Sequence, residues 1–114
     1  MCIRDSNNTA LGCSALKLST TGGQNTAVGF DALGANTTAS ENTAVGAYSL
    51  DANTTGTPNT AIGYNSLTSN TTGASNTACG KSALQNSTTS SHNTAVGNNC
   101  LLSNTTGDLS LIHI

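Results

Sequence analysis

A repeat of seventeen residues constrains this chain more than any other feature of its sequence. Each copy opens with the string N-T-A-x-G, and six copies follow one another without an insertion. The opening residues are Asn8, Asn25, Asn42, Asn59, Asn76 and Asn93. We number the places of the repeat from 1, at this Asn, to 17, and the copies from 1 to 6. Because the copies keep one register, they indicate a repeat architecture, and this architecture is assigned before any single strand.

The period of the repeat selects the fold class. Seventeen residues are too few for a helix pair or a propeller blade, but they suit one coil of a parallel β-solenoid, whose coils stack about 4.8 Å apart. We therefore predict an all-β chain, a parallel β-solenoid of six 17-residue repeats, forming a rod segment roughly 29 Å long. Each coil is expected to have a strand over T-A-V-G, a corner at the Gly of place 5, a short strand over A-L and a return through N-T-T-G.

The strand pattern also predicts an inside and an outside. Side chains alternate along a strand, so Thr26 and Val28 face one way while Ala27 and Gly29 face the other. We expect the aliphatic residue of place 4 to point into the coil with the invariant Leu of place 9. Ala and Gly then form a smooth outer stripe, along which chains assemble, most simply about a threefold axis, because one Val and one Leu per coil make a thin core. The alternative is that Ala and Gly merely fit a tight coil.

Composition limits the classes of partner. The chain has three basic and five acidic residues among 114, so its charge points to neither nucleic acid nor a membrane surface. It has no apolar run long enough to cross a bilayer, and we predict no membrane insertion. Two Tyr, one Phe and no Trp leave too few bulky residues for an ordinary globular core.

The stretch N-T-A-V-G-F-D-A-L-G-A-N-T-T and its sister copies, over Asn8 to Gly107, resemble the repeats of YadA-type heads in trimeric autotransporter adhesins and of related bacteriophage tail-fibre proteins. The resemblance implies a left-handed parallel β-roll wound as a homotrimer, with an outer surface used for attachment. It also implies a location on a virion tail fibre or on the bacterial cell surface. The adhesin-head repeat is generally shorter than seventeen residues, so the resemblance does not fully cover the N-T-T-G loop.

The two ends of the chain differ from the repeats. Met-Cys-Ile-Arg-Asp-Ser, residues 1 to 6, can be encoded by ATGTGTATAAGAGACAG plus one base, and the reverse complement of that string encodes Leu-Ser-Leu-Ile-His. That segment resembles the transposon mosaic-end adapter of sequencing libraries. We therefore expect residues 1 to 6 and 109 to 114 to be adapter-derived and to fall outside the coil-to-coil pattern. Residues 7 to 108 are then a repeat array cut from a longer protein; the alternative for the C-terminal end is a capping strand.

Catalytic and metal-binding patterns are weak. The cysteines within the array, Cys13, Cys79 and Cys100, occupy different places, so they make no zinc motif. Cys79 is interpreted as a small buried apolar residue and His92 as a solvent-facing loop residue. The string Cys79-Gly80-Lys81-Ser82 resembles the tail of a phosphate-binding loop, but Ser75 stands where that motif needs Gly. The acidic residues Asp31, Glu41 and Asp51 fall at different places, so no carboxylate pair repeats.

These observations predict a non-enzymatic structural or adhesive fibre segment with no cofactor, either a phage tail fibre or the head of a trimeric surface adhesin. Cysteines within the array favour the phage, whose fibres assemble in a host cytosol. Alternatives are a passive stalk spacer and an ice-binding solenoid, although adjacent Thr37 and Thr38 must point to opposite faces. A host-surface glycan or protein receptor is expected to bind the variable places 6 and 7. The candidate contact residues there are Phe30, Asp31, Tyr48, Tyr64 and Lys81.

Overall fold

The chain folds as a stack of coils that share one parallel β-sheet. The computed structural model describes residues 7 to 108 and the strand at 111 to 113. Seven strands pair in chain order, and the described residues contain no helix. The strands are β1 (Thr9–Leu11), β2 (Thr26–Val28), β3 (Thr43–Val45), β4 (Asn59–Ile62), β5 (Asn76–Cys79), β6 (Thr94–Val96) and β7 (Leu111–His113). The predicted all-β parallel solenoid is confirmed.

Strand register shows that each repeat is one coil. Thr26 of β2 lies opposite Thr43 of β3, and every other pair in the sheet has the same offset of one repeat. Strand β7 continues the pattern, because Leu111 lies opposite Thr94. The expectation that residues 109 to 114 fall outside the coil-to-coil pattern is therefore wrong for 111 to 113. Residues 1 to 6, 109, 110 and 114 lie outside the described residues, and the origin of both ends in an adapter stays a prediction.

The strands face the opposite way from the prediction. Ala27 and Ala44 are completely buried, whereas Ile62 and Val96 are 42% and 43% exposed. The place-3 alanines and the place-9 leucines form one core cluster, so the aliphatic side chains of place 4 lie outside it. The interior is narrow, since the whole molecule measures only 20 and 16 Å across its two shorter axes. Leu at place 9 takes most of that space and leaves room for a methyl group at place 3.

The segment after each strand is a series of turns, and the short strand predicted over A-L is wrong. In coil 2 the backbone N–H of Ala32 donates to Gly29 O, that of Gly34 to Asp31 O, and that of Asn36 to Leu33 O. Asp31 and Leu33, each the third residue of a turn, have φ of 52° and 51°. A positive φ at that position is what a type II turn requires. Places 5 to 12 therefore fold back through overlapping turns.

The glycine of place 5 makes the predicted corner. Its φ lies between 126° and 136° in every coil, a region that residues with a Cβ rarely enter. A Cβ added to Gly46 would lie 2.6 Å from the carbonyl oxygen of Gly63 in the next coil. Backbone conformation and the close approach of neighbouring coils thus both exclude a side chain at this place.

Asparagine at place 1 links the coils from inside. The Oδ1 atom of Asn59 accepts a hydrogen bond of 3.0 Å from the backbone N–H of Asn76, and its Nδ2 atom donates to Gly73 O at 2.8 Å. The same backbone bond to Oδ1 joins each place-1 Asn to the next, from Asn8 to Asn93. This place-1 ladder satisfies polar groups in an interior from which water is excluded, which explains why the same residue recurs in every coil.

A second ladder, at place 12, is shorter. Asn70 donates to Asn53 Oδ1 at 2.9 Å and to Gly73 O at 3.0 Å. In coil 5 this place holds Ser87, whose hydroxyl pairs with that of Ser90 instead. The Oδ1 atom of Asn70 is consequently buried without a hydrogen-bond partner. The place-12 ladder therefore ends because the serine side chain does not reach the neighbouring coil.

Candidate functional site

The aromatic residues of the chain lie together at one corner of the solenoid. The rings of Phe30 and Tyr48 are edge to face with centroids 5.4 Å apart, and those of Tyr48 and Tyr64 are edge to face at 6.1 Å. They come from three successive coils, 2, 3 and 4, and they are the only Phe and Tyr residues of the sequence. We call these residues the aromatic patch. The structure thus brings together three of the five residues that the sequence predicted as a contact surface.

Backbone hydrogen bonds between coils fix this corner. The N–H of Tyr48 donates to Phe30 O at 2.9 Å, and the N–H of Ser82 donates to Tyr64 O at 2.8 Å. The hydroxyl of Thr68 donates to Tyr48 O at 2.8 Å. Phe30 and Tyr64 remain 45% and 49% exposed, while Tyr48 is half-buried between them in the stack. The patch is therefore a rigid surface with two accessible rings.

Tyr48 adopts an unfavourable backbone conformation. Its φ is 58°, in the left-handed region that Asn and Asp tolerate better than bulky residues. Short polar residues occupy the same place in the other coils: Ser14, Asp31, Asn65, Ser82 and Asn99. An aromatic residue is thus present where the turn favours a small polar one. The place-9 leucines have a similar positive φ in every coil, so it is the residue type of Tyr48, and not its conformation alone, that departs from the repeat.

A group of charged residues lies beside the first ring of the patch. Asp31 follows Phe30 in the chain and accepts a hydrogen bond of 2.7 Å from Lys17 Nζ. That bond raises the pKa of Lys17 above its ordinary value. Burial, and then the charge of Asp31, raises the pKa of Asp51. The absence of a side chain at Gly34 leaves room for the Asp51 carboxylate, because a Cβ there would lie 2.6 Å from its Oδ1 atom.

The sequence analysis missed Lys17 and Asp51. Both stand at place 10, in coils 1 and 3, and Asp31 stands at place 7 of the coil between them. The signal that could have revealed them is the stacking register combined with the turn geometry, which brings places 7 and 10 of neighbouring coils together. Lys81 lies one coil beyond Tyr64 at the same place and is exposed. Among the described residues its side chain makes no hydrogen bond or ion pair.

The second candidate surface is the outward side of the sheet, formed by places 2 and 4 of β1 to β6. We call it the outer sheet face. Place 2 is Thr in every coil, and place 4 holds Leu11, Val28, Val45, Ile62, Cys79 and Val96. No charged residue belongs to this face, and within the described part of the chain none of its Thr hydroxyls makes a hydrogen bond. Leu11 is 62% exposed, so the face offers water a regular pattern of hydroxyls and aliphatic groups.

Other predicted features have clear outcomes. Cys79 is exposed, so its interpretation as a buried residue is wrong, because place 4 faces outward. His92 is exposed as predicted. Gly80 is followed by turns and not by the helix that a phosphate-binding loop needs. In residues 7 to 108 and 111 to 113, no three His, Cys, Asp or Glu side chains gather as a metal site would require, and no helix could cross a membrane.

A cavity of about 290 Å³ opens at the first coil. Its lining residues all belong to that coil and include Ala10, Leu16 and Lys17. Ala10 and Leu16 occupy interior places of the repeat. The cavity is therefore part of the coil interior, and its lining has Ser14, Ser19 and Lys17 as polar residues but no acidic or histidine side chain.

Comparison of the chain with protein-family models, with curated proteins and with solved structures finds no match. The resemblance to YadA-type head repeats and tail fibres therefore remains a prediction from the sequence. So do the left-handed winding and the homotrimer that the resemblance implies.

Proposed function

We propose that this chain is a non-enzymatic segment of an extracellular fibre, either a phage tail fibre or the head of a trimeric bacterial surface adhesin. The observation that carries the proposal is the division of each coil into a constant interior and a variable corner. Places 1, 3 and 9 are Asn, Ala and Leu in every coil, whereas place 6 holds six different residue types and place 7 holds Ser, Asp, Tyr or Asn. Such a coil extends a rod by simple repetition and can change its corner residues without changing its fold.

The fibre is proposed to be a homotrimer in which the outer sheet face is the contact between chains. This replaces the Ala and Gly stripe of the sequence analysis, since the alanines are buried. The support is the absence of charge on this face and the exposure of aliphatic residues such as Leu11 and Ile62. Three residues of strand and six coils present a flat area of about 300 Å², below the roughly 800 Å² per partner of a stable interface. Each added coil enlarges that area, so a longer array associates more strongly.

Assembly is tested by sedimentation equilibrium of the chain across a range of concentrations. The proposal expects a trimer in equilibrium with monomer, and it expects Ile62→Asp to shift the equilibrium to monomer. Leu18→Asp is the matched control, because Leu18 is 52% exposed but lies at place 11, outside the outer sheet face. A chain that remains monomeric at every concentration contradicts the proposed assembly.

Adhesion is tested separately with fluorescently labelled protein on bacterial and animal cells. The proposal expects binding that is lost when Phe30, Asp31, Tyr48, Tyr64 and Lys81 are all changed to Ser. Circular dichroism of the variant checks that the solenoid persists. Cell binding that survives these changes, in a folded assembly, contradicts the contact surface. Absence of cell binding by the unchanged protein supports the passive spacer instead.

Ice binding is a second candidate function, because one observation favours it. Thr26 and Val28 face outward together, and their places repeat in register through the sheet. The adjacent residues Thr37 and Thr38, which point to opposite faces, belong to the return loop and not to this face. There Thr37 donates its hydroxyl to Thr54 O, while Thr38 is exposed. Thermal hysteresis that Thr43→Tyr abolishes is the expected result for an ice-binding face. A protein that forms trimers through this face and produces no hysteresis is inconsistent with ice binding.

A further inference from the structure

We infer that the aromatic patch is a binding site for oligosaccharides, the sugar chains that cover cell surfaces. This inference rests on the proposed adhesive function and names the class of ligand. A pyranose ring presents one face of C–H groups and a rim of hydroxyls. The C–H face packs against an aromatic ring, and the hydroxyls need polar partners around it. The patch offers both, because the polar residues Asp31 and Asn65 directly follow Phe30 and Tyr64 in the chain and Thr68 is hydrogen-bonded to Tyr48 O.

The gathering of the aromatic residues is the first argument. A chain with three aromatic residues places all of them in one edge-to-face array and leaves two of the rings about half exposed. Burial in the coil cannot be their purpose, since the interior is filled by Ala, Leu and Asn. Phe30 and Tyr64 are two coils apart, about 9.6 Å along the rod. That span exceeds one sugar ring, so the fitting ligand is a chain of at least two sugars.

The residue type of Tyr48 is the second argument, because the other coils have Ser, Asp or Asn at its place. Asn65 and Asn99 hold the equivalent place in other coils and suit its positive φ. Tyr at this place destabilises the turn relative to Asn, yet it supplies the ring that joins Phe30 to Tyr64. A residue that lowers stability and completes an exposed array is expected to serve binding.

Charge favours a sugar over a cation. Aromatic rings also attract ammonium groups, but a cation site needs an unbalanced negative charge nearby. The Asp31 carboxylate beside Phe30 is already paired with Lys17 at 2.7 Å. Asp51 adds a second carboxylate to this group and Lys81 adds a positive charge one coil beyond Tyr64, so the four charges cancel. A neutral ligand with many hydroxyls fits this balance better than an ammonium ion.

The protein carries its own reporter for the test. It has two Tyr and no Trp, and both Tyr residues belong to the patch, so intrinsic tyrosine fluorescence monitors this site alone. The full chain is titrated with glucose, galactose and N-acetylglucosamine oligosaccharides of increasing length. We expect a saturable fluorescence change with at least one series, stronger for two or more sugars than for one. Tetramethylammonium chloride is the probe for the cation alternative.

Natural residues of the repeat supply the variants. Phe30→Ala and Tyr48→Asn introduce residues found at the same places in coils 3 and 4, Ala47 and Asn65. Each is expected to weaken binding by about tenfold or more. Tyr48→Asn is also expected to leave the urea midpoint unchanged or to raise it, which a purely structural tyrosine would not do. Leu18→Ser, which removes an exposed apolar side chain elsewhere, is expected to retain affinity.

The possible outcomes separate this inference from the proposed function. A saturable response to a sugar chain that the patch variants lose supports the inference. A response to tetramethylammonium without one to sugars overturns it in favour of a cation. Cell binding without any response to sugars also overturns it, while the adhesive function stands. Affinity that is unchanged in both Phe30→Ala and Tyr48→Asn overturns the assignment to this patch.

Discussion

The interior of the coil contains Ala and Asn beside its Leu residues, whereas the outer sheet face carries exposed Val, Ile and Leu. In most folded proteins large aliphatic residues are inside and Asn is outside. The interior contains Ala at place 3 and two asparagine ladders, of which Asn36, Asn42 and Asn53 are fully buried. The outer sheet face contains the β-branched and aliphatic residues, with Ile62 at 42% exposure. Volume explains the difference, because a narrow interior that already holds one Leu per coil accepts methyl groups and flat amides but no second large side chain.

The interior shows that polar groups can organise a core when they are hydrogen-bonded, as every buried side-chain nitrogen and oxygen of the described residues is except Asn70 Oδ1. Four members of the place-1 ladder accept a bond from the next coil and donate to their own return loop: Asn8, Asn25, Asn59 and Asn76. Asn42 instead donates to Ser40 O in the preceding coil. In the described residues the Thr side chains of the outer sheet face make no such bonds, and only the strand backbone is hydrogen-bonded there. The interior should therefore tolerate few changes, and the outer face many. Four substitutions test this contrast, from the largest expected effect to the smallest.

Ala44→Asp is expected to abolish folding of the solenoid. Ala44 is completely buried in the middle of the array, and its neighbours at place 3, Ala27 and Ala61, offer no partner for a carboxylate. An unpaired buried charge costs several kcal/mol, which is a large part of the stability of a small domain. Far-ultraviolet circular dichroism of the purified variant measures the effect. A folded variant with a urea midpoint near that of the unchanged protein contradicts the buried position of place 3.

Asn59→Ala is expected to destabilise the chain by about 2 to 4 kcal/mol. The change removes the bond to Gly73 O and leaves the buried backbone N–H of Asn76 without its acceptor. Urea unfolding monitored by circular dichroism measures the loss. Asn53→Ala is the matched control from the place-12 ladder, and its effect is expected to be smaller because Asn70 keeps its bond to Gly73 O. Equal losses for both changes contradict the special role of place 1.

The double change Ser87→Asn with Ser90→Gly is expected to stabilise the chain by about 1 kcal/mol. It introduces into coil 5 the pair that coils 3 and 4 have at places 12 and 15. The new amide can donate to Asn70 Oδ1, which is buried without a partner. Ser90→Gly alone removes the partner of the Ser87 hydroxyl and is expected to destabilise. A double variant that is no more stable than the single one contradicts the missing bond at Asn70.

Much of the fold could be predicted from the sequence because stacked repeats interact mainly with their neighbours. The coil period, the parallel register and the corner at place 5 all follow from the spacing of N-T-A-x-G. The inward face could not be read from alternation, which tells which residues share a face but not which face is inside. Variation was the better signal: place 4 changes among Leu, Val, Ile and Cys, whereas the core places 3 and 9 are constant, although Thr at the outward-facing place 2 is constant as well.

The candidate site was predictable only in part. Register and residue type were enough to single out Phe30, Tyr48 and Tyr64, because exposed corners carry the variable residues. The neighbourhood of Asp31 was missed, since the pairing with Lys17 depends on turns at places 5 to 12, where a corner and a short strand over A-L were predicted. The positive φ of Tyr48 belongs to the same turns. Local backbone geometry, which no repeat period specifies, therefore decides the details of the site.

Val45→Asp is expected to have the smallest effect on the fold, although Val is an aliphatic residue and directly follows the completely buried Ala44. The sequence-based orientation placed Val45 in the core, where a carboxylate would be buried without a partner. Val45 instead lies on the outer sheet face and is half-buried in the single chain, so Asp can remain in contact with water. A change within about 1 kcal/mol in the free energy of unfolding is typical for such a position. Urea unfolding under conditions in which the chain is monomeric measures it, beside Ala44→Asp as the inward control one residue away. A loss of several kcal/mol in the monomer would contradict the outward orientation of place 4.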